Sequence, residues 1–294
     1  MGQDLLINER ELEVSVVARF ALDRQAFTKV TVANETIEHV KASHRSMMGI
    51  LEKGVAVYGV TTGFGDSSHR LIPPHQTEIL QSNLVSYLLC GTGPIIPKEA
   101  SRATLLIRMK SLSRGLSGVS PELIARMQLF LERDWIPVVP REGSLGASGD
   151  LIPLAYLAQC LRGEGKIHVG DQIRNTKDVL KENGIPAYQF KAKEGLALVN
   201  GTSSMAGLAV VNLNNAKMLT ELACVATAWV CLALKGRTES FEPLINEVAK
   251  SHSGQTNAAK KIRGLLSDES YATPPNQVVG NSQSQIEFQV QERY

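Results

Sequence analysis

Gly143-Ser144-Leu145-Gly146-Ala147-Ser148-Gly149-Asp150 places three glycines, two serines and an alanine in eight positions, directly before the apolar run Leu151-Ile152-Pro153-Leu154-Ala155-Tyr156-Leu157-Ala158. Side chains this small add little to a core. The stretch is therefore read as backbone that must turn tightly or come close to another group. Asp150 stands where a helix N-cap is expected, with the helix reaching about Leu161.

Four kinds of chemistry compete for it. A phosphate loop needs GxxxxGK[ST], or GxGxxG after a strand; no lysine follows here and the glycines are spaced by three. A nucleophile elbow needs GxSxG, but Gly149 directly follows Ser148. A plain helix-capping loop is the commonest origin of a Gly/Ser cluster. The fourth reading is backbone chemistry. The Gly149 amide nitrogen, flanked by no side chain, can fold back onto the Ala147 carbonyl. Ring closure with loss of the Ser148 hydroxyl then leaves an electrophilic exocyclic methylene.

Outward from this stretch the pattern is helical. Towards the N-terminus, helices are predicted at Glu11–Leu22, from Glu35 to about Gly54, at Gln76–Leu89, Lys98–Arg114 and Ser120–Arg133. Ser120-Pro121 gives the last of these a serine cap and a first-turn proline. Thr28–Val32 alternates as a short strand does, and Val55–Asp66 reads as a glycine-rich loop. Towards the C-terminus a short hairpin is expected around Lys166–Val169, then helices at Asn175–Asn183 and Glu194–Leu198. A long helix follows over Thr202–Lys235, apolar nearly all round and so expected at the centre of a bundle. Helices at Glu242–Ser251, Gln255–Leu266 and Ser284–Tyr294 complete the pattern. The last ends within a turn of Val290 without a cap, the mark of a chain lacking its C-terminal part.

The chain of 294 residues is long enough for one or two domains. With 31 Lys+Arg against 29 Asp+Glu and no dense basic run, neither nucleic acid nor an anionic membrane is an expected partner. Cys90, Cys160, Cys224 and Cys231 form no CxxC pair and read as reduced core residues of a cytoplasmic protein. No secretory signal opens the chain, and the apolar run Leu222–Leu234 is too short to span a bilayer. Only 5% of residues are aromatic, which favours helix-on-helix packing. The predicted fold class is mainly α: a mixed α/β N-terminal region in 1–200, then a long-helix bundle beginning in 201–294.

Gly143 to Leu154 resembles the signature of the aromatic amino acid ammonia-lyase and aminomutase family, which includes histidine, phenylalanine and tyrosine ammonia-lyases. Three further stretches resemble the family's motifs in the same order. They are Tyr58-Gly59-Val60-Thr61-Thr62-Gly63-Phe64-Gly65, Leu198-Val199-Asn200-Gly201-Thr202, and Gln291-Glu292-Arg293-Tyr294, the last with Glu292 where the family has aspartate. The resemblance covers most of the chain from about Glu35 onward.

The resemblance implies a prosthetic group, 4-methylideneimidazol-5-one (MIO), formed autocatalytically from Ala147, Ser148 and Gly149. It implies that Tyr58 removes a proton from the substrate β-carbon. A free tyrosine loses its proton only near pH ~10, so that role demands a site favouring the phenolate. Asn200 is implied to hydrogen-bond the prosthetic group or substrate, with Gly65, Gln291 and Tyr294 lining the site. Substrate choice is implied to turn on the pair Tyr87-Leu88. Histidine-specific members carry Ser-His there, so phenylalanine or tyrosine is favoured over histidine, although Gln81-Ser82-Asn83-Leu84-Val85 resembles the histidine branch. Without the motifs, Tyr58 reads as an anchoring aromatic, Asn200-Gly201 as a turn and Leu88 as core.

The implied reaction is elimination of ammonia from an aromatic L-amino acid, giving an arylacrylate; a 2,3-aminomutase is the alternative. A homotetramer is implied. The family's carboxylate-binding arginine and a later glutamate lie beyond Tyr294, so the remaining alternative is an incomplete subunit completed by a second chain.

Overall fold

The computed structural model describes residues 3–234, 236–250 and 252–267. The chain divides into two compact units, Met1–Leu213 and Asn214–Tyr294. The first begins with β1 (Gln3–Ile7) and β2 (Phe27–Val32), which pair in parallel, as they must when α1 (Val14–Leu22) carries the chain back between them. Leu5 and Ile7 alternate inward with Val30 and Val32, which is why two short strands suffice. α2 (Asn34–Glu52) and α3 (Thr77–Tyr87) flank the loop that bears Tyr58.

The core is organised around α4 (Lys98–Ser113), whose Ala103, Leu105, Leu106, Met109 and Leu112 are buried almost completely. Burial of this kind is the main favourable contribution to folding. α5 (Pro121–Glu132) packs on α4, and the Ser120 hydroxyl accepts from the Leu123 amide as the cap signal predicts. Two strand pairings absent from the sequence reading frame the glycine-rich turn. β3 (Thr92–Ile95) pairs with β5 (Pro140–Glu142), and β4 (Ile136–Pro137) with β6 (Lys166–Val169), which forms the expected hairpin with β7 (Gln172–Asn175).

α6 (Leu151–Arg162) ends where Gly163 turns left-handed at φ +103°, its amide donating to the Cys160 carbonyl. α7 (Thr176–Glu182) and the fully buried α8 (Glu194–Val199) lead into α9 (Ser203–Ala233), whose first part belongs to this unit.

In the second unit, Cys224, Ala228 and Cys231 of α9 pack with Ile262 and Leu266 on or just beyond α10 (Ser253–Leu265). The helix expected over Glu242–Ser251 is instead a 3₁₀ turn at Glu239–Phe241 and a single π turn at Leu244–Val248. Buried Asn246 explains the difference. Its Nδ2 donates to the Ser240 and Glu242 carbonyls, and its own carbonyl accepts from Thr256 Oγ1, so side chains compete for groups an α-helix would use. The predicted helix at Ser284–Tyr294 lies outside the described residues.

α9 departs from the expected all-round burial. Val210, Val211, Cys224, Ala228 and Cys231 are buried, but Met218, Leu222, Trp229 and Val230 are more than half exposed, because the described residues cover only one side of the helix. By length and composition the helical stretch 194–233 is also sufficient to cross a bilayer, unlike the shorter run first considered. Two features oppose that use: α8 is buried in protein, and Asn212, Asn214, Asn215, Lys217 and Glu221 interrupt the middle of α9.

One stability prediction follows from the α5 cap. Ser120 Oγ caps α5 and also donates to the buried carboxylate of Glu194 at 2.6 Å. Ser120→Ala removes both roles and is expected to destabilise the chain by roughly 2–4 kcal/mol, read from the urea midpoint.

Candidate functional site

Tyr58 sits in the loop after α2 with its ring half exposed, edge-on to Phe64 at 6.4 Å between centroids. The Gly65 amide donates to the Tyr58 hydroxyl oxygen at 3.0 Å. That leaves the phenol's own proton unbound by this contact and available to a partner. Gly59 gives the loop its shape. Its φ is +64°, and a Cβ there would meet Phe64 and Leu196 side-chain carbons at 2.6 and 2.7 Å. Thr61 and Thr62 accept from the Val57 and Gly59 amides, so the two threonines of the motif hold the turn from within.

One buried amide side chain anchors this loop to α8. Gln81 of α3, fully buried, donates from Nε2 to the Gly59 carbonyl at 2.8 Å and accepts at Oε1 from the Leu196 amide at 2.9 Å. One amide thus ties the Tyr58 loop to α8, the helix that delivers Asn200. Tyr87, at the end of α3, is more than half exposed. Desolvation, and secondarily the nearby Tyr58, hold its hydroxyl above the ordinary tyrosine range. Leu88 packs against the hydrophobic core, in keeping with its reading as a core residue.

Asn200 caps the C-terminal end of α8 and is exposed. It lines a cavity of about 370 Å³ together with Tyr58, Arg108, Lys193, Leu196 and Ala197. Lys193 adopts a left-handed backbone, φ +77°, where α8 begins.

Ala147 and Ser148 lie on an exposed bend. Gly146 and Gly149 are left-handed at φ +69° and +89°, and a Cβ on Gly149 would stand 2.5 Å from the Gly201 carbonyl oxygen. The Asp150 amide donates to that same oxygen at 2.6 Å. The glycine-rich turn is thereby set directly against the Asn200-Gly201 turn. Asp150 occupies the N-cap position of α6, but its carboxylate does not cap that helix. It accepts instead from the Met205 amide in the first turn of α9, at 2.7 Å, and from Ser144 Oγ at 3.2 Å.

Of the residues singled out from sequence, the structure groups Tyr58, Gly65 and Tyr87, places Asn200 on the same cavity as Tyr58, and sets Ala147–Gly149 against the peptide following Asn200. Gln291 and Tyr294 lie outside the described residues. Two residues were missed as site components. Gln81 entered the sequence reading only as part of a resemblance, and Arg108 was a lone cation within Leu105-Leu106-Ile107-Arg108-Met109. A guanidinium in an apolar helix is equally the pattern of a side chain reaching solvent, which is why the signal went unused.

The family model described as aromatic amino acid lyase matches residues 12–294. A histidine ammonia-lyase from Caldanaerobacter subterraneus subsp. tengcongensis is 32% identical over 274 residues, covering 93% of this chain and 53% of that protein. A tyrosine 2,3-aminomutase from Chondromyces crocatus is 40% identical over 230 residues, covering 78% and 43%. The crystal structure of tyrosine aminomutase from Streptomyces globisporus superposes with a TM-score of 0.90 at 31% identity, covering 99% of this chain and 56% of that one. The chain spans about half the length of the curated relatives it matches.

The Gln81 anchor generates a prediction. Gln81→Leu leaves the Gly59 carbonyl and the Leu196 amide unpaired in the interior, each at roughly 1–3 kcal/mol. Loss of stability of that order is expected, with faster hydrogen exchange in the amides of residues 57–65 than in those of α4.

Proposed function

Since the chain belongs to the aromatic amino acid lyase family, we propose that Ala147, Ser148 and Gly149 form 4-methylideneimidazol-5-one, and that the whole protein eliminates ammonia from an aromatic L-amino acid to give an arylacrylate. The observation that carries this reading is the juxtaposition of the Ala147–Gly149 bend with Gly201. Gly149 is left-handed, with no room for a Cβ, beside an alanine and a serine on an exposed bend. That is the backbone ring closure requires, and the residues present fit the group. When formed, the group supplies an electrophile for the substrate amine.

The remaining work falls to side chains of this chain. Tyr58 takes the proton from the substrate β-carbon, with the Gly65 amide remaining on its oxygen through the transfer. Asn200, across the same cavity, orients the substrate or the ring by hydrogen bonding. Tyr87, beside Tyr58, offers its hydroxyl towards the aromatic end of the substrate, and an apolar Leu88 in place of histidine favours phenylalanine or tyrosine over histidine. Gln291 and Tyr294 complete the proposed lining. A residue to grip the substrate carboxylate is to be supplied by sequence beyond Tyr294 or by a second chain. A homotetramer in the cytoplasm, with the domain that bears the ring ending near residue 200, goes with this assignment.

A 2,3-aminomutase is the second reading. It is favoured by the identity of 40% to a tyrosine 2,3-aminomutase and by the superposition on a tyrosine aminomutase. The same groups serve both reactions; retention of the arylacrylate until the amine returns to the β-carbon distinguishes them.

The test is intact mass followed by turnover. The purified chain is expected to be lighter than its sequence by two waters, localised to the peptide containing Ala147–Gly149, and Ser148→Ala is expected to retain the full mass. Retention of both waters by the unsubstituted chain would rule the assignment out. In an assembly that turns over L-phenylalanine or L-tyrosine, Tyr58→Phe is expected to lower kcat by about 10² or more. Release of a β-amino acid would decide for the aminomutase.

A further inference from the structure

Arg108, like Arg126, is a buried cation that bonds to backbone carbonyls. It projects from the middle of α4, is 5% exposed, and both of its hydrogen bonds come from one amino group to backbone carbonyls, those of Ala197 and, at 2.8 Å, Asn200. Among the described residues no carboxylate pairs with it, and its Nε is buried without a partner. Burial lowers its pKa to about 10, which leaves it charged at neutral pH. An isolated buried cation of this kind is expensive to maintain and calls for a reason.

The reason lies in what it touches next. A Cβ on Gly201 would collide with Arg108 Nη1, so the guanidinium lies directly against the Gly201 backbone. On its other side the Gly201 backbone meets Gly149, its carbonyl oxygen, nitrogen and carbon all lying 2.5–2.9 Å from where a Gly149 Cβ would be. The Asn200–Gly201 peptide is planar and trans, so holding the Asn200 oxygen on the Arg108 side directs the Gly201 N–H the opposite way. Arg108 therefore fixes the tilt of the Asn200–Gly201 peptide, whose Gly201 nitrogen lies 2.8 Å from where a Gly149 Cβ would be, while the Asp150 amide holds the Gly201 carbonyl of the following peptide.

We propose that Arg108 is a positioning residue for ring closure: it holds the Asn200-Gly201 turn as a rigid wall behind Gly149, and so keeps the Gly149 nitrogen over the Ala147 carbonyl carbon. This rests on the functional assignment above. In the closure, a bond forms between the Gly149 nitrogen and the Ala147 carbonyl carbon. The carbonyl oxygen departs as water with the two amide hydrogens of Ser148 and Gly149. The Ser148 Cα hydrogen and hydroxyl leave as the second water. No oxidant or reductant enters. The two atoms must be held at contact distance in the folded chain, and loss of such alignment slows a reaction by up to about a hundredfold.

The experiment follows the cyclised fraction by intact mass and by the Ala147–Gly149 peptide, over time after synthesis, in the unsubstituted chain, R108Q and R108K. Circular dichroism and the urea midpoint report folding. R108Q is expected to fold and to cyclise at least about tenfold more slowly. R108K, which keeps the charge and one carbonyl contact, is expected to fall between the two. Cyclisation of R108Q at the unsubstituted rate would overturn the proposal. So would a failure of both variants to fold, which would assign Arg108 to stability alone. If the unsubstituted chain keeps both waters, the functional assignment fails first and this proposal with it; if it loses them and R108Q does not, both stand.

Discussion

The Gly201 backbone occupies the space that a Cβ on Gly149 would need, and the surrounding elements are arranged to keep it there. The contact joins two turns distant in sequence. One is the start of α6, the other the link between α8 and α9. The Asp150 amide closes it on the Gly201 carbonyl, and the Asp150 carboxylate, buried beside it, holds the first turn of α9 through the Met205 amide. A backbone contact has no rotamers to adjust, so its geometry is set by the helices on either side. This explains why a surface bend, at which Ala147 and Ser148 are exposed, rests on the fully buried α8 and on the buried face of α6.

What the sequence revealed and what it concealed divide along physical lines. Helices with local signals were legible. Ser120-Pro121 marks α5 because a cap acts within one turn, and Gly163 ends α6 because a left-handed residue stops a helix wherever it occurs. β1, β3, β4 and β5 were not, because each is a strand of two to five residues whose partner is far away in sequence. At the site, the glycines announced close approach but not to what. That Gly149 meets Gly201 is a fact of tertiary packing, invisible to any window along the chain. Asp150 was correctly placed at the start of α6, but its carboxylate accepts from the Met205 amide of α9 and from Ser144 Oγ instead of capping α6, a pairing no local window reveals.

Tyr58 and Asn200 were legible only through resemblance, and the structure supplies the physical link between them. Gln81 is polar, buried and bidentate between the Tyr58 loop and α8, while Arg108 fixes the far end of that same helix. Each joins backbone to backbone through a side chain, an arrangement that leaves no periodic trace. Both side chains are buried, where a polar group is costly unless bonded. A buried amide that satisfies two backbone groups removes two costs at once, which is a sufficient reason for its presence.

The two charges that bracket α8 raise a harder question, since neither has an opposite charge beside it. Glu194, fully buried in the first turn, accepts from the Ser120 and Lys191 amides, from Ser120 Oγ and from the Tyr188 hydroxyl. Arg108 donates to carbonyls at the other end. The helix between them offers a partial positive charge to the carboxylate and a partial negative charge to the guanidinium. A six-residue helix has little intrinsic stability, yet its Leu196 amide is bonded by Gln81 and its Ala197 carbonyl by Arg108, while the Glu194 carboxylate ties its start to Ser120, Tyr188 and the Lys191 amide. Each charge in turn finds its partner in the peptide dipoles instead of a counter-ion. The consequence is mutual dependence: the helix keeps the charges tolerable and the charges keep the helix folded. A segment stabilised in this way has little freedom to slide or fray, and it is this segment that sets where Asn200 and Gly201 meet the glycine-rich bend.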